Sequence, residues 1–366
     1  MLVLLLALAP APQEPAPIPR PDSGLEFATP DGAWSLRLGG KLQFDRARGT
    51  GEVRRSRLDL RGRAAALLGW RASADFRQDS GAELRDLYLE VETGPLGELR
   101  LGHFRQPYGL ENRGSSSSFT FFERSIANAL SPARDAGLML HDRWPAGTWA
   151  VGAFRETHSD AFGVDSGDAA DRSLSARLTW LPLDEEDGAR LVHLGGSFRH
   201  LDPDPGGFAV EERPEAHLAP KMIAATFAAD RVEQLGLEAA AVLGPTSLQA
   251  EWQRAWVDAA GGGPALDGAY LQVAHTLTGE VRGYQRGDGV FGRVEPAAPL
   301  GEGGGAWELA ARVSRLDLGP AGSLEVLSLA LNWYWAENLK LQWGWSSAEG
   351  PDGALDTFQF RLHLDW

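Results

Sequence analysis

Cationic side chains recur at alternate positions through the early part of the sequence, and this spacing places them on one face of successive β-strands. This arginine ladder comprises Arg37, Lys41, Arg55, Arg57, Arg61, Arg63, Arg71 and Arg77. Guanidinium groups bind phosphate and carboxylate oxygens through paired hydrogen bonds. A row of such groups along a confined aqueous space lowers the barrier to anion entry. The sequence therefore predicts a cationic wall along which small anions move.

A second interpretation of the ladder stays open, because carboxylates share the same predicted strand faces. Asp45, Asp59 and Asp75 alternate with the cations, and Asp86 and Glu90 lie on the next predicted strand. Arginine–carboxylate pairs between neighbouring strands would brace a wall without binding any solute. One ladder can do both, since some members can be paired while others remain available to anions.

A long connection, Gln106 to Asp135, carries three further cationic candidates: Arg113, Arg124 and Arg134. It also contains four consecutive serines and a phenylalanine-rich stretch. A long insertion inside a compact domain is usually functional. If this loop folds into the barrel, it narrows the pore and presents its arginines to solute. The alternative is that the loop covers the barrel from outside as a lid.

Catalytic chemistry is not indicated by the remaining residues. The eight histidines are scattered without metal-ligand spacing, and no Gly-x-Ser-x-Gly motif is present. We therefore expect no enzyme activity, metal or cofactor, with a barrel-type lipase as the least favoured alternative. The net charge of -15 argues against a nucleic-acid partner, because a phosphate backbone favours a basic surface.

Strands are needed to position the ladder, and alternation of apolar and polar residues indicates them along almost the whole chain. The clearest runs are Trp34 to Asp45, about Val53 to Ala64, and Leu68 to Arg77. Further candidates lie near residues 84–92, 99–105, 137–144, 149–155, 174–181, 191–201, 222–229, 234–243, 248–257, 269–277, 280–286, 307–318, 324–335 and 339–346.

The last stretch, Leu355 to Trp366, alternates in the same way and ends in an aromatic residue at the chain terminus. A final strand of this kind suggests a sheet that closes on itself and leaves no edge unpaired. We predict an all-β fold: a transmembrane antiparallel β-barrel of about 16 strands over residues 33–366. Closure requires the terminal strand to pair with Trp34 to Asp45.

The compartment follows from the N-terminus and the composition. The apolar run from Met1 to Ala9 is far shorter than the roughly 20 residues of a membrane-spanning helix. We interpret residues 1–11 as a signal peptide and residues 12–32 as a proline-rich linker. The chain has no cysteine and 13 tryptophans, many of them near predicted strand ends. These features favour an outer membrane of the Gram-negative type.

Three polar connections rich in glycine and acidic residues separate the predicted strands: 156–172, 258–267 and 287–305. Outer-membrane barrels have short turns at the periplasmic rim and longer loops at the outer rim. We therefore assign all three connections to the outer rim.

An ordered set of motifs resembles the phosphate-selective porin O and P family. The motifs are Arg54-Arg-Ser-Arg-Leu-Asp-Leu-Arg-Gly62, Asp75-Phe76, Leu84-Arg-Asp-Leu-Tyr-Leu-Glu90, Leu99-Arg-Leu-Gly-His-Phe-Arg-Gln-Pro-Tyr-Gly-Leu-Glu111, Phe122-Glu-Arg-Ser125 and Pro132-Ala-Arg-Asp-Ala-Gly137. The resemblance implies a sixteen-stranded outer-membrane barrel, usually trimeric, that passes anions such as phosphate through a basic constriction. Separately, the terminal aromatic residue Trp366 resembles the signal by which the barrel assembly machinery recognises outer-membrane barrels.

The chain departs from the family pattern in one respect. The phosphate channels of the family carry lysine in the constriction loop, whereas residues 106–135 contain none. We therefore expect an outer-membrane porin that passes small anions, with phosphate selectivity left open. A structural or adhesion barrel whose own charged pairs plug the lumen is the alternative.

Overall fold

The computed structural model describes residues 16–20, 24–65, 67–77, 81–158, 163–164 and 171–366. The predicted signal peptide, residues 1–11, lies outside the described residues. No helix in these ranges is long and apolar enough to cross a membrane.

Sixteen long antiparallel strands form one closed sheet, as the alternation predicted. They are β1 (Trp34–Ala47), β2 (Thr50–Ala64), β3 (Leu68–Arg77), β4 (Gly81–Glu92), β5 (Glu98–Arg105), β6 (Arg134–Trp144), β7 (Gly147–Arg155), β8 (Arg172–Glu185), β9 (Arg190–Asp202), β10 (Arg231–Leu243), β11 (Thr246–Asp258), β12 (Ala265–Thr276), β13 (Ala306–Asp317), β14 (Ser323–Ala336), β15 (Leu339–Gly350) and β16 (Gly353–Asp365).

The ring closes where β16 pairs with β1. The register runs from Gln359 opposite Ala47 to Asp365 opposite Lys41, which confirms the predicted neighbours. Inside this seam, Arg361 donates two hydrogen bonds of 2.6 Å to the Asp45 carboxylate. The seam is therefore held by backbone hydrogen bonds between the two strands and by a buried ion pair in the lumen.

Strand alternation separates an apolar outer face from a polar inner one. On β16, Phe358 is 72% exposed, whereas the inward Arg361 is 1% exposed. Trp307, Trp333 and Trp343 stack on the outer face of three adjacent strands, with centroid separations of 4.7 and 6.4 Å. Such aromatic rings suit the headgroup layer of a bilayer.

The strand order fixes the rim of every connection. The chain ends meet at one rim, called here the terminal rim, and the opposite rim is called the distal rim. Connections 156–171 and 259–264 share the distal rim, but 277–305 joins β12 to β13 at the terminal rim. The assignment of all three connections to one rim was therefore wrong, because loop length was used where strand parity decides. The candidate strands near 222–229 and 280–286 are also wrong as wall strands, since each belongs to a connection between wall strands.

A short hairpin extends the sheet at the terminal rim. Residues 16–20 pair with 24–28, and 25–28 pair in turn with β1 between Ser35 and Leu38. The C-terminal strand pairs with β1 only as far as Gly40, which exchanges backbone hydrogen bonds with Trp366. The hairpin, which lies within the region interpreted as a linker, covers the part of β1 that β16 leaves unpaired.

One side of the lumen, towards the distal rim, is filled by apolar side chains. The short helical turn Ile126–Leu130 and the paired segments Phe208–Glu212 and Ile223–Phe227 meet there in one buried cluster. The cluster packs against inward residues of β11 to β15, among them Val257 and Leu266. This packing leaves the opposite side, formed by the early strands, as the polar part of the lumen.

Candidate functional site

The connection from β5 to β6, residues 106–133, lies inside the barrel because three lumen-facing glycines make room for it. A Cβ at Gly344 would lie 2.6 Å from the Phe122 ring, and one at Gly268 would lie 3.0 Å from the Ala127 Cα. A Cβ at Gly236 would lie 3.3 Å from Tyr108. The three glycines belong to β10, β12 and β15, so the loop is seated against the wall opposite the ladder.

Buried carboxylates fix the start of the loop, where the four-residue helix α1 (Leu110–Arg113) lies. Glu251 on β11 accepts hydrogen bonds from the backbone N–H groups of Leu110 and Glu111, at 2.8 and 2.7 Å. The Glu111 carboxylate in turn accepts a 3.0 Å hydrogen bond from Arg312 on β13. Free N–H groups at a helix start are satisfied by acceptors of this kind.

A second anchor ties the loop to the ladder. Glu123 accepts hydrogen bonds from Arg54 at 2.8 Å and from Arg55 and Arg361 at 3.0 Å each. Lys340 donates to the Phe119 carbonyl at 2.8 Å. The loop is therefore held from both sides of the barrel.

Between the loop and strands β1 to β6 lies a cavity of about 350 Å³, called here the cationic cavity. Thirteen cationic side chains line it: Arg37, Lys41, Arg55, Arg57, Arg61, Arg71, Arg85, Arg100, Arg105, Arg113, Arg124, Arg134 and Arg293. Four acidic side chains line it as well: Asp59, Asp86, Asp288 and Asp365. A protein of net charge -15 thus concentrates positive charge in one part of its interior.

Part of the ladder is braced by carboxylates. Arg57 donates to both oxygens of Asp75, at 2.9 and 2.6 Å, and Arg71 donates to Asp59 at 2.8 and 2.6 Å. Arg61 differs from these, because no described carboxylate lies within 4.0 Å of it. The ladder therefore combines paired and unpaired cations.

Arg124 on the loop and Arg105 at the end of β5 donate hydrogen bonds to carbonyl oxygens of the loop and not to any described carboxylate. Arg124 donates to the carbonyls of Glu111, Asn112 and Gly114 at 3.0 to 3.2 Å. Arg105 donates to the last two of these carbonyls. The end of helix α1 supplies these acceptors, because its last carbonyls lack partners within the helix.

Burial lowers the pKa of Arg113 and of Arg124 to about 10. Both side chains therefore remain protonated at neutral pH. The nearest described carboxylate to Arg113 is Asp288, at 3.9 Å between Nη2 and Oδ1. The cavity thus has fixed positive charge at its loop side.

The serine run of the loop points at the ladder. Lys41 lies against the hydroxyl groups of Ser115, Ser116 and Ser117, at 3.4, 3.1 and 2.7 Å. Hydroxyl groups offer hydrogen bonds without adding charge. The Lys41 amine is thereby positioned at the cavity surface.

Nine of the eleven predicted cations line the cavity, and Arg63 does not. Arg63 is exposed and lies nearer the terminal rim. The side chain of Arg77 lies outside the described residues. Arg134 lines the cavity but is paired with Asp86 at 3.0 Å.

The sequence analysis missed four cations of the cavity, Arg85, Arg100, Arg105 and Arg293, and for Arg85 the reason is geometric. The register between β3 and β4 shifts at Ser73 and Ala74, which pair with Asp86 and Leu84. Arg85 is the extra residue of this bulge and lines the cavity, although strict alternation would direct it outward. A bulge leaves no composition signal that alternation alone can detect.

A second segment enters the lumen, from the terminal rim. Within connection 277–305, Tyr284 and Gln285 pair with Phe291 and Val290 in a small hairpin. Val290 and Phe291 pack in one buried cluster with Leu110 of helix α1. The loop from the distal rim and this hairpin from the terminal rim therefore meet inside the barrel.

Comparison with known proteins gives one family and several relatives. The family model described as phosphate-selective porin O and P matches residues 37–355. An uncharacterized protein of Caulobacter vibrioides is 30% identical over 295 residues, covering 76% of this chain and 58% of that protein. Porin O of Pseudomonas aeruginosa is 26% identical over 356 residues, covering 81% of this chain and 75% of that protein. This chain thus spans less than two thirds of the Caulobacter relative.

Solved structures with the same fold are outer-membrane proteins. OmpT of Vibrio cholerae in its trimer form is 12% identical, with a TM-score of 0.59 over 91% of this chain and 100% of that chain. The anion-selective porin of Comamonas acidovorans is 14% identical, with a TM-score of 0.57 over 91% and 99%. At these identities the likeness concerns the fold alone.

Proposed function

Because this chain belongs to the phosphate-selective porin O and P family, and its barrel lies in the outer membrane, we propose that it is a passive channel for small anions. The observation that carries the proposal is the cationic cavity between loop 106–133 and strands β1 to β6. Its positive side chains outnumber its carboxylates, and several of them have neutral partners. A channel of this kind needs no catalytic group, so we propose no enzyme activity.

The arrangement favours anions by two physical effects. The guanidinium group of Arg61, which lacks a described carboxylate partner, replaces part of the hydration shell that an anion loses in a narrow space. Low-dielectric walls strengthen the field of these fixed charges and exclude cations. The paired members of the ladder, such as Arg57, hold the wall in place around them.

Phosphate or a related oxyanion is the solute class we propose. Its oxygens match the planar donor geometry of arginine, and the hydroxyls of Ser115 to Ser117 supply further polar contacts. Lysine is nearly absent from the cavity, where Lys41 is the single example among the described lining residues. Recognition would therefore depend on guanidinium geometry.

We further propose a homotrimer inserted in outer-membrane lipid, since one solved relative is described in a trimer form. The indole of Trp366 lies over Gly40, where a Cβ would come within 2.5 Å of the ring. The terminal aromatic residue thus packs against β1 at the seam. This position suits recognition by the barrel assembly machinery.

Conductance of the purified protein in a planar bilayer tests the proposal. A KCl gradient should give a reversal potential of the sign expected for chloride selectivity, and added phosphate should reduce the chloride current. A cation-selective current would refute the anion path. The absence of current would instead favour the alternative of a structural barrel plugged by its own loops.

A further inference from the structure

The hairpin that enters from the terminal rim carries one acidic side chain, Asp288, to the cationic cavity. Its turn is closed by hydrogen bonds from the N–H groups of Asp288 and Gly289 to the Gln285 carbonyl, at 3.2 and 2.9 Å. Gly289 has a φ of +62°, which favours glycine. The turn therefore has a defined shape at the position of the carboxylate.

The backbone of this turn is fixed to the barrel wall. Arg177 on β8 donates to the carbonyl oxygens of Asp288 and Gly289, at 3.1 and 2.8 Å. Arg286 donates two hydrogen bonds to Asp184, at 2.6 and 2.7 Å. The turn cannot swing away without breaking these contacts.

The Asp288 side chain, in contrast, is not held. It is 59% exposed, and its nearest described cation is Arg113 at 3.9 Å. The other three cavity carboxylates have arginine partners at hydrogen-bond distance: Asp59 with Arg71, Asp86 with Arg134, and Asp365 with Arg293. Among the described lining residues, Asp288 is thus the carboxylate whose charge remains available.

We propose that Asp288 is a tethered competing anion, a specificity-determining residue that opposes the binding of a permeating anion beside Arg113. This inference rests on the proposed function. The carboxylate occupies the side of the cavity that faces the terminal rim, where an anion crossing from the loop arginines leaves. Its repulsion weakens binding there and favours release.

Weak binding serves a channel, because conduction requires that a solute enter favourably and still leave. Thirteen cations around a small cavity would otherwise hold an oxyanion tightly. A fixed carboxylate on a rigid turn reduces this affinity without closing the path.

Block of the chloride current by inorganic phosphate measures this competition in the full-length protein. Asp288→Asn should lower the half-blocking phosphate concentration about threefold to fivefold, the size of an exposed ion-pair interaction. Glu302→Gln is the matched control, because Glu302 is an exposed acid of the same connection and does not line the cavity. Arg113→Gln should have the opposite effect to Asp288→Asn.

Each result has a distinct meaning. Tighter block in Asp288→Asn, with no change in Glu302→Gln, supports the inference. An unchanged half-blocking concentration in Asp288→Asn, or an equal effect in both acid variants, overturns it. If phosphate fails to block the wild-type current, the proposed function itself fails, and the inference fails with it.

Discussion

Replacing Gly344 with alanine tests whether loop 106–133 is seated against β15. A Cβ at this position would lie 2.6 Å from Cε2 of Phe122. The loop cannot simply slide away, because Arg361 donates to the Phe122 carbonyl at 2.5 Å and Asn332 donates to the Thr120 carbonyl at 2.8 Å. The added methyl group therefore meets a buried ring whose backbone is held by hydrogen bonds.

The structure sets the size of the effect. Ordinary Cβ contacts begin near 3.4 Å, so the Phe122 ring must move by about 0.8 Å in the alanine variant. Overpacking of this kind costs about 1–3 kcal/mol. We expect Gly344→Ala to lower the free energy of unfolding by this amount and to change the single-channel conductance, since the loop forms one side of the cavity.

Gly69→Ala provides the matched control. Gly69 also lies on a barrel strand, and its nearest contact would be the Glu90 Cβ at an ordinary 3.5 Å. The variants are compared by denaturant unfolding in lipid vesicles and by single-channel recording. Equal stability and conductance in the two variants would refute the seating of the loop against β15.

Three further predictions concern the arginine ladder, Glu212 in the paired segment Phe208–Glu212, and the seam between β16 and β1. Arg57→Glu combined with Arg61→Glu should lower anion selectivity, measured as a reversal potential in a KCl gradient; unchanged selectivity would mean that these arginines only brace the wall. Burial raises the pKa of Glu212 to about 8, with Glu123 and Glu215 adding repulsion. The folded protein therefore favours the protonated form of Glu212. The free energy of unfolding should fall as pH rises from about 4.5 to 8, and thermal unfolding of Glu212→Gln should lose this pH dependence. Arg361→Gln leaves Asp45 buried without its cation and should destabilise the barrel by about 3–5 kcal/mol; an unchanged unfolding midpoint would contradict the role of this pair in closing the seam.

Strand alternation made the barrel predictable, because each inward or outward position follows from a period of two. The pairing of β16 with β1 could be stated in advance, since a terminal amphipathic strand needs a partner. The rim of connection 277–305 was predicted wrongly, because loop length was used. Strand parity, and not the length or composition of a connection, decides its rim.

The site was predictable only in part. Nine of the predicted cations line the cavity, since they follow the alternation of regular strands or lie on the inserted loop. Arg85 was missed because it belongs to a bulge, and Arg293 because its connection was assigned to the other rim. Alternation gives the face of a side chain, whereas a bulge changes that face locally.

The sequence by itself determined that this protein is an outer-membrane barrel and predicted one strand face rich in arginine, because period-two patterning and residue type are local properties. Only the tertiary structure decided which cations are available to solute. Arg57 is paired with Asp75, whereas Arg124 is held by backbone carbonyls. The two side chains have the same chemistry in the sequence. Their partners differ because one faces a neighbouring strand and the other faces the end of helix α1, a contact that forms only when the loop folds into the barrel.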